Sequence, residues 1–199
     1  MKTQMRFQKY LILAILIVAA LSFVYALSFC GGTVYQYGTL YDQVNDKEKV
    51  EGAKALFEAS QRYNDILIWL AVAFILVVVL NYVMATTKRR KYYITNYISI
   101  GLTIAYAFAF AAVLAWIVMD TYSLFVVIDK DLAAAKFLGT EGFKYSTINF
   151  ILGYVVVGIS ALSACLMIFN LVWKIILMKG EKKLLAAAPV NSETAEEAV

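Results

Sequence analysis

The sequence predicts an all-α membrane protein, a four-transmembrane-helix bundle with both termini in the cytoplasm (N-in/C-in) and a helical extension in the first outer loop. Three observations lead there. Of 199 residues, 62% are hydrophobic and 16% charged, with a mean hydropathy of +0.72. A soluble domain of this size lacks the interior to hide so much apolar surface. The charges leave four uninterrupted runs, 10–41, 66–87, 92–119 and 145–173, each able to cross about 30 Å of hydrocarbon at ~1.5 Å per helical residue. Finally, Lys and Arg gather in alternate connections. The runs do not alternate in polarity as barrel strands would, and lipid offers no partner for an open backbone N–H or C=O, so helices are the expected solution.

Orientation follows from the basic residues. Lys2, Arg6 and Lys9 precede the first run, Lys88, Arg89, Arg90 and Lys91 join the second to the third, and Lys174, Lys179, Lys182 and Lys183 end or follow the fourth. Those eleven cations mark the cytoplasmic side, because Lys and Arg resist translocation. The other side carries seven basic and ten acidic residues. Trp69 and Trp116 at outer helix ends, and Tyr10, Tyr82, Tyr92, Tyr93 and Trp173 at inner ones, form the two interfacial belts.

The first element is a cytoplasmic segment, 1–9, followed by a membrane helix over 10–30. Ala26, Leu27 and Ser28 form a small-x-small pattern open to signal peptidase, and Leu27 to Cys30 has the outline of a lipoprotein cleavage box with Cys30 to be acylated. Phe29 stands where that box wants a small residue, and an apolar stretch of about twenty residues exceeds a secretory core of roughly 7–15. The expectation is a retained helix.

The first outer loop, 31–65, opens on Gly31 and Gly32 and carries Tyr35, Tyr37 and Tyr41. Asn45 with Glu48 reads as a helix cap, and Val50, Ala53, Phe57 and Ser60 recur at helical spacing. Lys54 with Glu58 and Glu58 with Arg62 are stabilising pairs four apart. This amphipathic helix is expected to run into the second membrane helix, 66–87. The basic loop 88–91 reads chiefly as a topology signal, with Lys88, Arg89, Arg90 and Lys91 as candidate contacts to anionic lipid headgroups.

A third membrane helix is predicted over 92–119. The second outer loop, 120–144, combines an interfacial stretch, 124–128, with a break at Gly139 and Gly142 before the fourth helix, 145–178. The tail 179–199 has no apolar periodicity and reads as disordered. Cys30 lies at one helix end and Cys165 within the membrane, so they are not expected to pair; Cys165 reads as a small packing residue.

No catalytic constellation emerges. With no histidine a Ser-His-Asp triad is excluded, and no zinc, haem or iron-sulfur ligand set is present, so no cofactor is expected. Carboxylates such as Asp42, Asp120 and Asp129 lie only at the outer surface. The basic residues form short juxtamembrane clusters, not a stripe for nucleic acid, so the expected partners are the lipid bilayer and a membrane protein or a second copy of the chain.

What stands out is a polar seam. On the fourth helix Asn149, Gly153, Val156, Ser160, Ser163, Met167, Asn170 and Lys174 recur at steps of four and three, which places them on one face. On the third, Thr95, Ser99, Thr103 and Tyr106 offer a match, flanked by Gly101, Ala105 and Ala109, with Ile100, Ile104 and Phe108 expected to point to lipid. Small and polar residues on one face are the usual material of membrane helix contacts. Lys174 is expected to snorkel to the inner boundary. The expected function is a non-catalytic subunit or interaction partner of a membrane complex, multi-pass in a bacterial plasma membrane. The alternative is a small transporter or channel component using the seam.

Overall fold

A computed structural model describes residues 2–29, 51–87, 94–134 and 147–187. They form four helices: α1 (Lys2–Ser28), α2 (Glu51–Thr86), α3 (Ile94–Ala134) and α4 (Ile148–Ala187). All four are long and apolar enough to cross a membrane. Each packs on its neighbours in sequence, and α4 closes back on α1. Contacts run antiparallel: Tyr63 of α2 meets Asp120 of α3 at one end, while Asn81 meets Thr103 near the other. The end holding the start of α1 and the end of α4 carries Arg6, Lys9, Lys174 and Lys179 and is termed the basic end.

Each helix contributes one inward face at helical spacing. On α1 it runs Gln4, Gln8, Ile12, Ile15, Ala19, Ser22 and Ala26, with Phe29 just past its end, all buried. On α2 it is Leu67, Ala71, Phe74 and Val78, on α3 Ala107, Phe110, Leu114 and Ile117, and on α4 Val156, Ala164 and Met167. Phe74 and Phe110 stack across the bundle, ring centroids 6.0 Å apart. The outward faces are as apolar as the core, with Ile17, Leu76, Ile98 and Ile151 exposed. Lipid tails are as greasy as these side chains, so close packing and cross-helix hydrogen bonds hold the helices together. Gly153 shows how close the packing is. A Cβ there would stand 2.5 Å from the Tyr25 hydroxyl and 2.7 Å from Val118 Cγ2, and the same hydroxyl donates to the Asn149 carbonyl at 3.0 Å.

Three helices are longer than the sequence predicts: α1 already begins at Lys2, within the segment 1–9 expected to precede it. α3 continues past Met119 to Ala134, because no Gly or Pro interrupts it and Thr121 and Phe125 extend its buried face. α4 reaches Ala187, so the first part of the expected disordered tail is helical; its Lys, Leu and Ala residues favour helix. α2 begins at Glu51 and runs unbroken to Thr86. Cys30, the expected cap at Asn45, the basic loop Lys88 to Lys91 and the Gly139–Gly142 break lie outside the described residues.

Candidate functional site

The inner faces turn polar at the basic end. Gln4 and Gln8 sit one turn apart on α1, in phase with Ile12 and Ile15, so the helix that buries its apolar stripe buries both amides too. Gln4 Nε2 donates to Asn170 Oδ1 of α4 at 2.9 Å and makes a longer contact, 3.5 Å, to Gln8 Oε1. Gln8 Nε2 reaches across the bundle to Asn96 Oδ1 of α3 at 3.1 Å. The Ser99 hydroxyl lies within hydrogen-bond distance of the Asn96 carbonyl, 2.9 Å, and of Asn81 Oδ1 of α2, 3.3 Å. Asn81 Nδ2 donates to Thr103 Oγ1 at 2.9 Å, and that hydroxyl donates to the Ser99 carbonyl at 2.9 Å. One chain of hydrogen bonds therefore touches all four helices.

Lys174 lies one turn beyond Asn170 and is 1% exposed. Its ammonium stands 4.8 Å from the centre of the Tyr97 ring, a cation–π distance. The expected snorkelling at the boundary gives way to an inward position, because Lys174 continues the buried phase of Ser163, Met167 and Asn170. Phe7, Phe169 and Trp173 pack on one another between α1 and α4, with Phe7 and Trp173 centroids 5.6 Å apart.

Of the predicted seam, the structure brings Ser99, Thr103, Asn170 and Lys174 to this end of the bundle. Ser160 and Ser163 are buried in the middle of α4, where Ser163 bonds the Ile159 carbonyl of its own helix at 2.8 Å and Ser160 Oγ has no hydrogen-bond partner among the described residues. Asn149 is half-buried at the opposite end, and Tyr106 is half-buried against the apolar core. Thr95 faces outward, and Ile100, expected to meet lipid, is fully buried. Both corrections have one cause: the inward face of α3 passes through Asn96, Ser99, Ile100, Thr103 and Ala107, so its centre lies between residues 99 and 100. Ile104 is half-buried, whereas Ala105, Phe108 and Ala109 are exposed. Cys165, expected to pack inside, is exposed on α4.

Gln4, Gln8, Asn81 and Asn96 were not legible as a site. Gln4 and Gln8 fall in residues 1–9, which read as a solvated terminus, and Asn81 and Asn96 fall near helix ends beside the basic loop. The signal was present in the phase of Gln4 and Gln8 with the apolar stripe behind them.

The cluster does not continue through the bundle. Below it, Ile15, Phe74, Phe110, Leu114 and Met167, each under 2% exposed, fill most of the centre, with Ser22, Ser160 and Ser163 buried among them. At the opposite end the Tyr63 hydroxyl donates to Asp120 Oδ2 at 2.6 Å while its ring packs on Trp116, and Tyr122, Phe125 and Phe150 form an aromatic cluster. Comparison with protein-family models, curated proteins and solved structures gives no match to this chain.

Proposed function

We propose that this protein is a non-catalytic subunit of a membrane complex, a rigid four-helix scaffold presenting its outward faces to another membrane protein or to a second copy of itself. The observation that carries this reading is the mutual satisfaction of the polar cluster above an apolar plug. Amides at membrane depth are costly unless bonded, and here they bond one another across helices in the manner of packing glue. A solute path would call for a continuous polar chain past Phe74 and Phe110, whereas the buried serines there do not link the helices: Ser22 and Ser163 bond carbonyls of their own helices and Ser160 Oγ has no partner among the described residues. α3 supplies a contact face: Ala105, Ala109 and Ala112 are exposed opposite its buried stripe, and a Cβ added at Gly101 would meet nothing within 4 Å. Small residues there allow a partner helix to approach closely.

In this reading the basic end is cytoplasmic and the termini are N-in/C-in, as the distribution of Lys and Arg suggests, and the membrane is a bacterial plasma membrane, in keeping with the compactness of the chain. The deciding experiment is copurification of the full chain in mild detergent, with flux measured in vesicles. A stoichiometric partner or a defined oligomer, without solute movement, is the expected result. A monodisperse single chain that moves an ion or solute, with flux abolished by Asn170→Leu, would establish the transport alternative instead.

A further inference from the structure

A groove of about 310 Å³ opens on the outer surface of the bundle at its basic end, between α1 and α2, lined by Arg6, Lys9, Tyr10, Leu13 and Tyr82. Its composition is layered. Two cations and two phenol groups form the rim, and Leu13 lies one turn deeper than Lys9. Further along, Ile17 on α1 and Val79 on α2 are exposed and apolar, 59% and 41%. Neither helix that forms the groove carries an acidic residue near it. α1 contains no Asp or Glu, and α2 contains none after Asp65. Among the described residues neither Arg6 nor Lys9 has an ion-pair partner.

We infer that this groove is a binding site for one anionic glycerophospholipid, whose phosphate is held by Arg6 and Lys9 and whose acyl chain lies over Leu13, Ile17 and Val79. Arg presents a planar fork to phosphate oxygens and Lys a point charge on a flexible stem. The Tyr10 and Tyr82 hydroxyls can donate to the remaining oxygens at the depth where tyrosine rings settle in a bilayer. The volume suits a headgroup, and the apolar floor suits a chain that free phosphate does not have. The occupant is therefore a lipid, and the site stands independently of the subunit reading.

The test uses the full chain reconstituted in vesicles of phosphatidylglycerol and phosphatidylcholine in equal amounts, then released for native mass spectrometry. One phosphatidylglycerol should be retained with a preference of about tenfold or more, the scale expected of two basic residues at a membrane surface. Arg6→Gln with Lys9→Gln should bring the two lipids near parity. Leu13→Trp, which keeps both charges but fills the groove, should do the same. Lys179→Gln with Lys183→Gln, exposed cations at the same end, should leave the preference intact. Three results would overturn the site: retained preference in Leu13→Trp, which would reveal diffuse charge attraction; loss of preference only in the Lys179 and Lys183 variant; or displacement of the lipid by millimolar inorganic phosphate.

Discussion

Gln4 and Asn170, 166 positions apart in sequence, meet through a 2.9 Å hydrogen bond that ties the first helix to the last. Both side chains are buried, at 1% and 0% exposure, so neither finds water as a substitute when the other is removed. The bond closes the ring of four helices at the basic end and sets the height of α1 against α4.

That pair should show coupling. Gln4→Leu and Asn170→Leu are each expected to destabilise the bundle by about 1–2 kcal/mol, and the double variant by less than their sum, since membrane hydrogen bonds average about 0.6 kcal/mol and reach ~1.7. A double-mutant cycle of unfolding in mixed micelles measures this; strict additivity would show that the bond contributes nothing.

Gly153 is expected to tolerate no larger residue. Gly153→Ala drives a methyl into the Tyr25 hydroxyl and Val118 and should cost about 1–3 kcal/mol, the usual range for overpacking. Val118→Ala in the same chain should recover part of the loss, which thermal unfolding in detergent can read directly.

The Phe74 and Phe110 stack separates the polar cluster from the rest of the core. Phe110→Ala should cost about 3–5 kcal/mol by opening a cavity, while leaving the Gln8 to Asn96 bond in place. Unfolding gives the first quantity. Crosslinking of cysteines at positions 4 and 170, in a background free of native cysteine, reports whether the polar end stays assembled.

The outward face of α3 should behave oppositely. Ala105→Leu with Ala112→Leu changes exposed positions and is expected to shift stability by no more than about 0.5 kcal/mol. The same variant should weaken copurification with the partner or self-association. Unchanged association would remove this face from the proposed contact.

Orientation is read by cysteine labelling. In a chain lacking Cys30 and Cys165, Thr3→Cys and Thr87→Cys, both exposed near the basic end, should react with an impermeant maleimide only after cells are opened. Labelling of intact cells would invert the assignment made from Lys and Arg.

The residues of α4 show where reading by period succeeds. Gly153, Val156, Ser160, Ser163, Met167, Asn170 and Lys174 share a buried face because a straight helix repeats every ~3.6 residues and steps of four and three keep to one side. On α3, Thr95 is exposed and the buried face centres on Ser99, Ile100 and Thr103 instead. Ile100 is as apolar as the residues that meet lipid, so its composition could not tell inside from outside.

The sequence by itself determined the class: the charge-free runs and the clustered cations specify four membrane helices, since hydrocarbon admits few other backbones. It also determined that polar side chains would collect on helical faces. Only the tertiary structure decided which faces meet. In a soluble protein, water sorts polar from apolar and marks the core in advance. In a bilayer both the lipid face and the core are apolar, so the partners of Gln4, Gln8, Asn81 and Asn96 are fixed by the packing of four helices at once, through groups that have nowhere else to bond.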